Sequence, residues 1–592
     1  MASAPRAVQR TSELRRILEI PRRTWDGTEI AADLTRVLKT ARGTQALRPV
    51  QGQALYELAT FGGLFGPIRV GGGKTLVSLL ASAVTCAKRP LLIVPAKLRE
   101  KTRLEMFALS EHWRIPRHLQ IESYEMLDRP QSEKFLELVR PDLIIFDESH
   151  KLKRLQRVAG KRIGRYIEAH GCRVCQMTGT PMKRSIADFA HTMAWSLPPE
   201  NYPLPTHYQE LKDWADALKD NPSVGLGHLR ALLDPGEVVS VETVRQALQR
   251  RFRDTTGIVG TTEARPVSLK GNEIALTIKH IDIPHNPEID AAFLKLRKNA
   301  ETPDGWIQPD GLSQSRIARQ LALGFYLVWD PRPPEWWSIP RQRWGKVCRY
   351  LIKYNRRDLD SQDPMRRAIK AGHYDHSHFE ERWFNPKDAF STIKHAAPKI
   401  LTDWETVEER FPVNTVPVWI SDVALRVCAE WMRGAQRSIV WTEHKDFARK
   451  LSDMTGVPYF GAQGLDKNGR FIEHAREDCI IASANSNGEG RNLQHLFDRN
   501  LITSPFPNGM QWEQVLGRTH RDYQPSDAVS FDVLHGCLEH QKAVQQGRLD
   551  AANLQQTLGQ EQKLCYAPPS YPKPHTGPGD NRYHEPLLDD DD

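Results

Sequence analysis

Short apolar runs bounded by polar residues recur along the chain from Leu47 onward, with helical stretches between them. Leu91 to Val94, Leu143 to Phe146 and Arg173 to Met177 have the length and isolation of strands buried on both faces. A second set stands at Ser438 to Trp441, Cys479 to Ala482 and Asn500 to Thr503. Strands alternating with helices predict parallel sheets, so the expected class is α/β with two parallel-sheet lobes. The lobes are expected at about residues 46–200 and 400–545, after a basic, partly helical lead-in over 1–45. Residues 201–399 read as a mainly helical insertion, with helices at Val241 to Phe252 and Gln314 to Leu327. From 546 to 592 a largely disordered tail is expected, because beyond about Gln560 Pro and Gly are frequent and the end is acidic.

The chain has 592 residues, beyond the roughly 250 to 300 at which a single core stops growing, so several domains are required. No apolar run of about 18 residues exists to cross a bilayer. The net charge of +9, over 82 basic and 73 acidic side chains, favours a polyanionic partner without demanding one. The opening MASAPRAVQRTSELRR lacks the apolar core of a secretory signal, and Glu13, Glu19 and Asp26 argue against a transit peptide. A cytoplasmic protein is expected. Cys172 and Cys175 are the one close cysteine pair and have no second pair beside them, so they read as reduced thiols at a buried strand. His373, His376 and His378 lack a fourth ligand and read as polar surface.

Chemistry enters at Gly71-Gly72-Gly73-Lys74-Thr75, between an apolar stretch and the helical LVSLLASAV. Phosphates need backbone N–H groups at close range, which glycines allow, and a helix N-terminus adds a favourable dipole. Lys74 would hold the β- and γ-phosphates and Thr75 would place its hydroxyl on magnesium. Ile68 stands where the full phosphate-loop spacing asks for a first glycine. Asp147-Glu148-Ser149-His150 directly follows the LIIF strand, where acids can reach a metal-bound phosphate. Asp147 would hold magnesium, and Glu148 would orient and deprotonate the attacking water.

With these motifs in this order the chain resembles the superfamily 2 helicases and ATPases along both lobes. Leu47-Arg48-Pro49-Val50-Gln51 looks like the adenine-recognition segment; Pro95-Ala96-Lys97, Ser123-Tyr124-Glu125 and Thr178-Gly179-Thr180-Pro181 follow in family order. SNGEGRNLQ (486–494) and QVLGRTHR (514–521) are similar to the fifth and sixth motifs of the Swi/Snf-like branch, and the compact whole resembles small phage or mobile-element helicases. The resemblance implies two RecA-like lobes closing over ATP and Mg²⁺. Arg48 and Gln51 would meet the base, and Gly488 and Gly490 the nucleotide. Pro95, Lys97, Ser123 and Tyr124 would face the nucleic-acid backbone, while Thr178, Thr180, Asn492 and Gln514 would couple ATP state to lobe movement or the track. Arg518 and Arg521, three apart, would share a helix face and point at the γ-phosphate as arginine fingers.

The expected activity is a nucleic-acid-dependent ATPase that yields ADP and phosphate and translocates on DNA, with duplex DNA as partner. Alternatives are a strand-separating DNA or RNA helicase and an ATP-gated binding switch with little turnover; intact Glu148 and both arginines weigh against the switch. The aromatics from Phe325 to Trp344, interleaved with Arg332, Arg341 and Arg343, are read as core in preference to base-stacking residues. Arg250, Arg251 and Arg253 fit a solvated helix end as well as a phosphate contact.

Overall fold

The computed structural model describes residues 6–25, 27–153, 157–182, 184–219, 224–261, 265–299, 301–305, 311–331, 333–354, 362–374, 393–411, 414–570 and 580–585. The first lobe is built on a five-stranded parallel sheet in the order Leu64–Gly66, Arg173–Met177, Leu143–Asp147, Pro90–Val94, Gln120–Ser123. Successive side chains leave opposite faces of a strand. Leu92, Val94 and Ile145 therefore join one core cluster, while Leu91, Ile93, Ile144 and Phe146 join another beneath the helix Val158–His170. Burial on both faces is why these strands are uninterrupted apolar runs.

The second lobe has a six-stranded parallel sheet in the order Tyr459–Phe460, Cys479–Ser483, Ser438–Thr442, Arg499–Ile502, Ala528–His535, Ala275–Asp282. Trp441, Ile480 and Ile502 pack on one face and Val440, Ile481 and Leu501 on the other. The molecule is thus an α/β protein of two RecA-like lobes.

The region between the lobes differs from a single helical insertion over 201–399. Its first part completes lobe one. Phe65 N donates to Gly257 O at 2.8 Å and Val259 N to Phe65 O at 3.0 Å, so the chain runs beside the edge strand. Trp214, Val244, Leu248 and Phe252 share a core with Val8, Leu14 and Ile17 of the lead-in. Arg251 donates to the carbonyls of Ile20 and Leu18, and Arg250 pairs with Glu237 at 2.7 Å, so this basic cluster is structural. Next, Ala275–Asp282 joins the lobe-two sheet. The helix read over Gln314 to Leu327 ends at Ala322; Gly324, at φ 89°, turns the chain into the strand Phe325–Trp329, which pairs antiparallel with Thr415–Trp419.

Beyond that ribbon the helices Glu335–Tyr354, Gln362–Ala371 and Ile393–Val407 form a separate module around Trp337, Trp344, Val347, Met365 and Trp404. Trp337 and Trp344 are core, while Trp336 is 49% exposed. His373 is exposed, and His376 and His378 lie outside the described residues.

A disordered tail from 546 is also corrected. The helix Leu538–Leu558 carries Val544, Ala551 and Leu554 at helical spacing and lies against the lobe-one helix Val241–Asp254. Lys563–Tyr566 follows, with Lys563 in a buried ion pair with Glu513, and the turn Asn581–Tyr583 buries Arg582. Residues 571–579 and 586–592 of the expected tail lie outside the described residues. Among the described residues no helix is long and apolar enough to cross a membrane.

Candidate nucleotide cleft

Gly71 and Gly73 take φ of 87° and 79°, the left-handed region that costs a side-chain-bearing residue about 1–2 kcal/mol. Gly73 is the N-cap of the helix Lys74–Val84 and supplies no side-chain cap, so the first turn presents backbone N–H groups to the cleft. Ile68, the departure from the full phosphate-loop spacing, is fully buried, and a Cβ on Gly72 would come within 2.6 Å of its Cγ2. It is the hydrophobic support on which the loop rests. Gln51 also acts on the loop: its Oε1 accepts from Arg48 N at 2.9 Å and its Nε2 donates to Gly73 O at 3.2 Å. Gln51 also lines the cavity, and these two bonds leave one amide hydrogen and one carbonyl lone pair toward it.

Asp147 ends its strand, and Glu148 follows with φ 55° and ψ 49°, a strained conformation of the kind concentrated at functional sites. Tyr124, fully buried, donates its hydroxyl to Asp147 O at 2.9 Å and fixes the strand end from below. Burial and the neighbouring Glu148 charge raise the Asp147 carboxyl to about 7, with Lys74 offsetting part of the rise. Burial also opposes charge on Glu148, but Lys74 and His150 outweigh it and hold that carboxyl at about 2. Burial lowers the Lys74 ammonium, partly offset by the two acids. Lys74 Nζ rests on Arg69 O at 3.3 Å, and Gly179 lies so close that a Cβ there would sit 3.0 Å from it.

The second lobe closes a cavity of about 450 Å³ over these groups, bringing Gly490, Asn492, Arg518 and Arg521 opposite Lys74, Thr75, Asp147 and Glu148. The arginines do not share a helix face. The helix Gly509–Thr519 ends before Arg521, because His520 leaves helical geometry at ψ 82°. Arg518, in the last turn, is buried and donates to Gln514 O at 2.7 Å and Arg491 O at 3.0 Å. Burial and the Arg521 charge push it down to about 10. Arg521, past the helix, donates to Asn492 Oδ1 at 2.6 Å, and its Nε would lie 3.8 Å from a Cβ on Gly71. Arg521 therefore faces the phosphate loop directly.

Other residues expected at the site lie elsewhere. Arg48 forms an interlobe pair with Asp522 at 2.9 Å. Ser123 and Tyr124 do not face a nucleic-acid track: both are buried, and Ser123 caps the turn Tyr124–Leu127 by accepting from Met126 N at 3.1 Å. Pro95 is buried, and Lys97 pairs across the lobes with Glu489 at 2.9 Å. Thr178 and Thr180 are buried behind the acids, with Thr178 Oγ1 accepting from Thr180 N at 3.2 Å and lying 3.4 Å from His150 Nδ1. Gln514 is buried, and Gly488 packs inside lobe two, where a Cβ would meet Ala484 O at 2.4 Å. Lys101 and Glu105 line the cavity with no motif to announce them, and Lys101 donates to Gly490 O. Glu489, flanked by glycines, meets Lys97, Lys151 at 3.0 Å and His150 at 3.4 Å.

The cleft has the donors a magnesium nucleotide requires. Two adjacent buried acids, a hydroxyl at Thr75 and a backbone cradle beside Lys74 are hard-oxygen and phosphate-binding chemistry, and the raised Asp147 is a carboxyl short of positive charge. Among the described residues a second group, His285, Asp290 and Asp580, could hold a cation, but Asp290 already accepts from Asn581 N and Asp580 pairs with Arg582.

No protein-family model matches the chain, and no curated protein matches it. Among solved structures it is similar to the Hef helicase domain of Pyrococcus furiosus, with a TM-score of 0.35 and 13% identity over 83% of this chain and 96% of that one. The assignment of the fold stands on the two parallel sheets themselves.

Proposed function

We propose that the protein is an ATP-driven nucleic-acid motor of the superfamily 2 type that translocates on duplex DNA and belongs with its Swi/Snf-like, phage-like members. The observation that carries this reading is the composite cleft, in which Lys74, Asp147 and Glu148 of one lobe meet Arg518 and Arg521 of the other. A site split between lobes is complete only when they close, so hydrolysis is tied to their relative motion.

In the reaction, the phosphate-loop N–H groups and Lys74 bind the β- and γ-phosphates. Thr75 and Asp147 would hold Mg²⁺, which supplies charge neutralisation at the phosphate oxygens. Glu148, ionised at neutral pH, orients the attacking water and accepts its proton. Arg521 and Arg518 stabilise charge developing on the transferred phosphoryl group, an effect worth about 10³- to 10⁵-fold in related systems. Product release then frees the lobes to separate and regrip the track.

Duplex tracking is favoured over strand separation by the likeness of SNGEGRNLQ and QVLGRTHR to motors that grip a duplex backbone. In the aromatic segment that could serve as a pin, Trp337 and Trp344 are core while Trp336 is 49% exposed. Unwinding would have to offset stacking of about 1.4 kcal/mol per base-pair step. ATP turnover measured with duplex DNA, single-stranded DNA, RNA and no nucleic acid tests the motor; equal rates in all four would overturn it. Displacement of a third strand from a triplex, against opening of a forked duplex, tests the mode. Fork opening without triplex displacement would replace the translocase with a strand-separating helicase.

A further inference from the structure

The lobe-two carboxylate of Glu489 gathers three groups of lobe one. Lys97 Nζ lies 2.9 Å away, Lys151 Nζ 3.0 Å and His150 Nε2 3.4 Å. The other ring nitrogen of His150, Nδ1, lies 3.2 Å from Glu148 Oε2. A continuous line of side chains therefore runs from lobe two through one imidazole to the acid that faces the attacking water. His150 is buried and sits on the short turn Ser149–Leu152, directly after the strained Glu148 backbone. A backbone in a sparsely populated region persists only when its surroundings over-determine it. Glu148 N donates to Asp147 Oδ1 at 3.1 Å and Glu148 O accepts from Lys151 N at 3.0 Å, while His150 meets the carboxylate.

We infer that Glu489 is a positioning residue for hydrolysis: by docking against His150 when the lobes close, it fixes the Glu148 carboxylate in its working orientation. Lys97 and Lys151 supply the positive charge that lets an acid approach a second acid through one ring. Glu489 stands between Gly488 and Gly490, and Gly490 both lines the nucleotide cavity and abuts Leu98 of lobe one so closely that a Cβ would fall 2.3 Å from Leu98 Cδ2. Separation of the lobes at that contact withdraws Glu489 from His150. The acid is then held on one side only, so hydrolysis waits for closure. A plain interlobe ion pair would instead act through affinity, by making closure easier or harder at every nucleotide and nucleic-acid concentration.

This inference rests on the motor reading above, and the experiment separates the two. ATP turnover of the full chain is measured with saturating duplex DNA for the unsubstituted protein, Glu489→Gln, His150→Gln and the double variant, with binding of a fluorescent ATP analogue measured in parallel. Each single variant is expected to lose about 10- to 100-fold in kcat, as when a supporting residue behind a catalytic group is removed. KM for ATP and analogue affinity should stay within about threefold, the sign of an interaction made after binding. The double variant should be no slower than the slower single, since both changes cut one line. A rise in KM with kcat intact, or losses that multiply in the double variant, would overturn the inference. Should Glu489→Gln not fold, His150→Gln carries the same kcat expectation, and an unaltered kcat there is equally fatal. If the unsubstituted protein itself hydrolyses no ATP with any nucleic acid, the motor reading fails; if it turns over and Glu489→Gln matches it, only the positioning role does.

Discussion

Gln51 occupies the space that a side chain on Gly73 would need: a Cβ there would fall 2.1 Å from the Gln51 amide nitrogen, which donates to the Gly73 carbonyl. The pair locks the phosphate loop from behind, so the loop is formed before nucleotide arrives. Gly73→Ala meets both this clash and a left-handed φ of 79°, a local cost of at least about 1–2 kcal/mol. The outcome expected is a folded protein whose affinity for a fluorescent ATP analogue falls by about tenfold or more, since 1.4 kcal/mol is a factor of ten. Unchanged affinity with the melting profile intact would mean that the loop is not the phosphate cradle.

Lys74→Ala removes the one ammonium aimed into the loop and should abolish nucleotide binding or turnover. Glu148→Gln keeps the shape of the acid and its place beside His150 but accepts no proton. ATP binding should survive while hydrolysis falls by at least about 10²-fold. Single-turnover hydrolysis beside analogue binding checks this; ordinary turnover with weakened binding would contradict the role.

Arg521 and Arg518 are not equivalent. Arg518 is anchored by two backbone carbonyls, whereas Arg521 is held by the Asn492 side chain and, at 3.4 Å, by Arg491 O, and faces the phosphate loop. Arg521→Ala should cut the nucleic-acid-stimulated rate by at least about 10²-fold with ATP affinity largely intact. Asn492→Ala removes the shorter of the two bonds to the guanidinium, leaving Arg491 O, and should cost less. A loss confined to nucleic-acid affinity would move Arg521 from the cleft to the track, and salt titrations on duplex DNA, with a log-log slope of about 0.9 per phosphate neutralised, would register that shift.

Glu57 ties the lead-in to lobe one. Fully buried, it accepts from Arg23 Nε at 2.6 Å, Trp25 Nε1 at 3.2 Å and Gly257 N at 2.7 Å. Glu57→Ala leaves the Gly257 N–H unpaired and the Arg23 guanidinium without its counter-charge, though still on the carbonyls of Arg253, Thr255 and Ile258. Removing one partner of a buried pair costs about 3–5 kcal/mol. Urea unfolding should show a lower midpoint for lobe one; an unchanged midpoint would mean that the lead-in is not part of that lobe.

The central strands of both lobes were legible because burial on two faces leaves uninterrupted apolar runs, as in LIIF and LLIV. Ala275–Asp282 was not: as an edge strand it alternates buried Ile278 with exposed positions and looks like loop. The phosphate loop and the acids were legible since each is a local chemical requirement met by consecutive residues. Interlobe partners such as Arg48 with Asp522, or Lys97 with Glu489, join positions hundreds of residues apart and leave no local signature. The fate of Tyr124 was misread for a related reason, because a tyrosine after a strand suits a track and a core equally until its hydroxyl is found on Asp147 O.

The helical module of lobe two offers a test of where the motor ends and its accessory parts begin. It is carried on a ribbon in which Trp329 lies directly opposite Thr415, so the two strands leave the lobe side by side. Its apolar cluster around Trp337, Trp344 and Trp404 is distinct from the clusters of the lobe sheet. Among the described residues its contact with lobe one runs through Arg367 and Glu133, 3.8 Å apart and both exposed, a kind of pair worth about 0–1 kcal/mol. Neither the lobe core nor lobe closure should therefore depend on it. A two-residue Asn-Gly turn suits the twist of an antiparallel ribbon, so joining Trp329 to Thr415 through that turn in place of residues 330–414 should leave a folded protein. Its ATP turnover without nucleic acid should stay within about threefold of the full chain, because every residue of the cleft is retained. If turnover without nucleic acid collapses while the protein still melts cooperatively, the module is part of the motor; if only stimulation by duplex DNA is lost, its place is on the track.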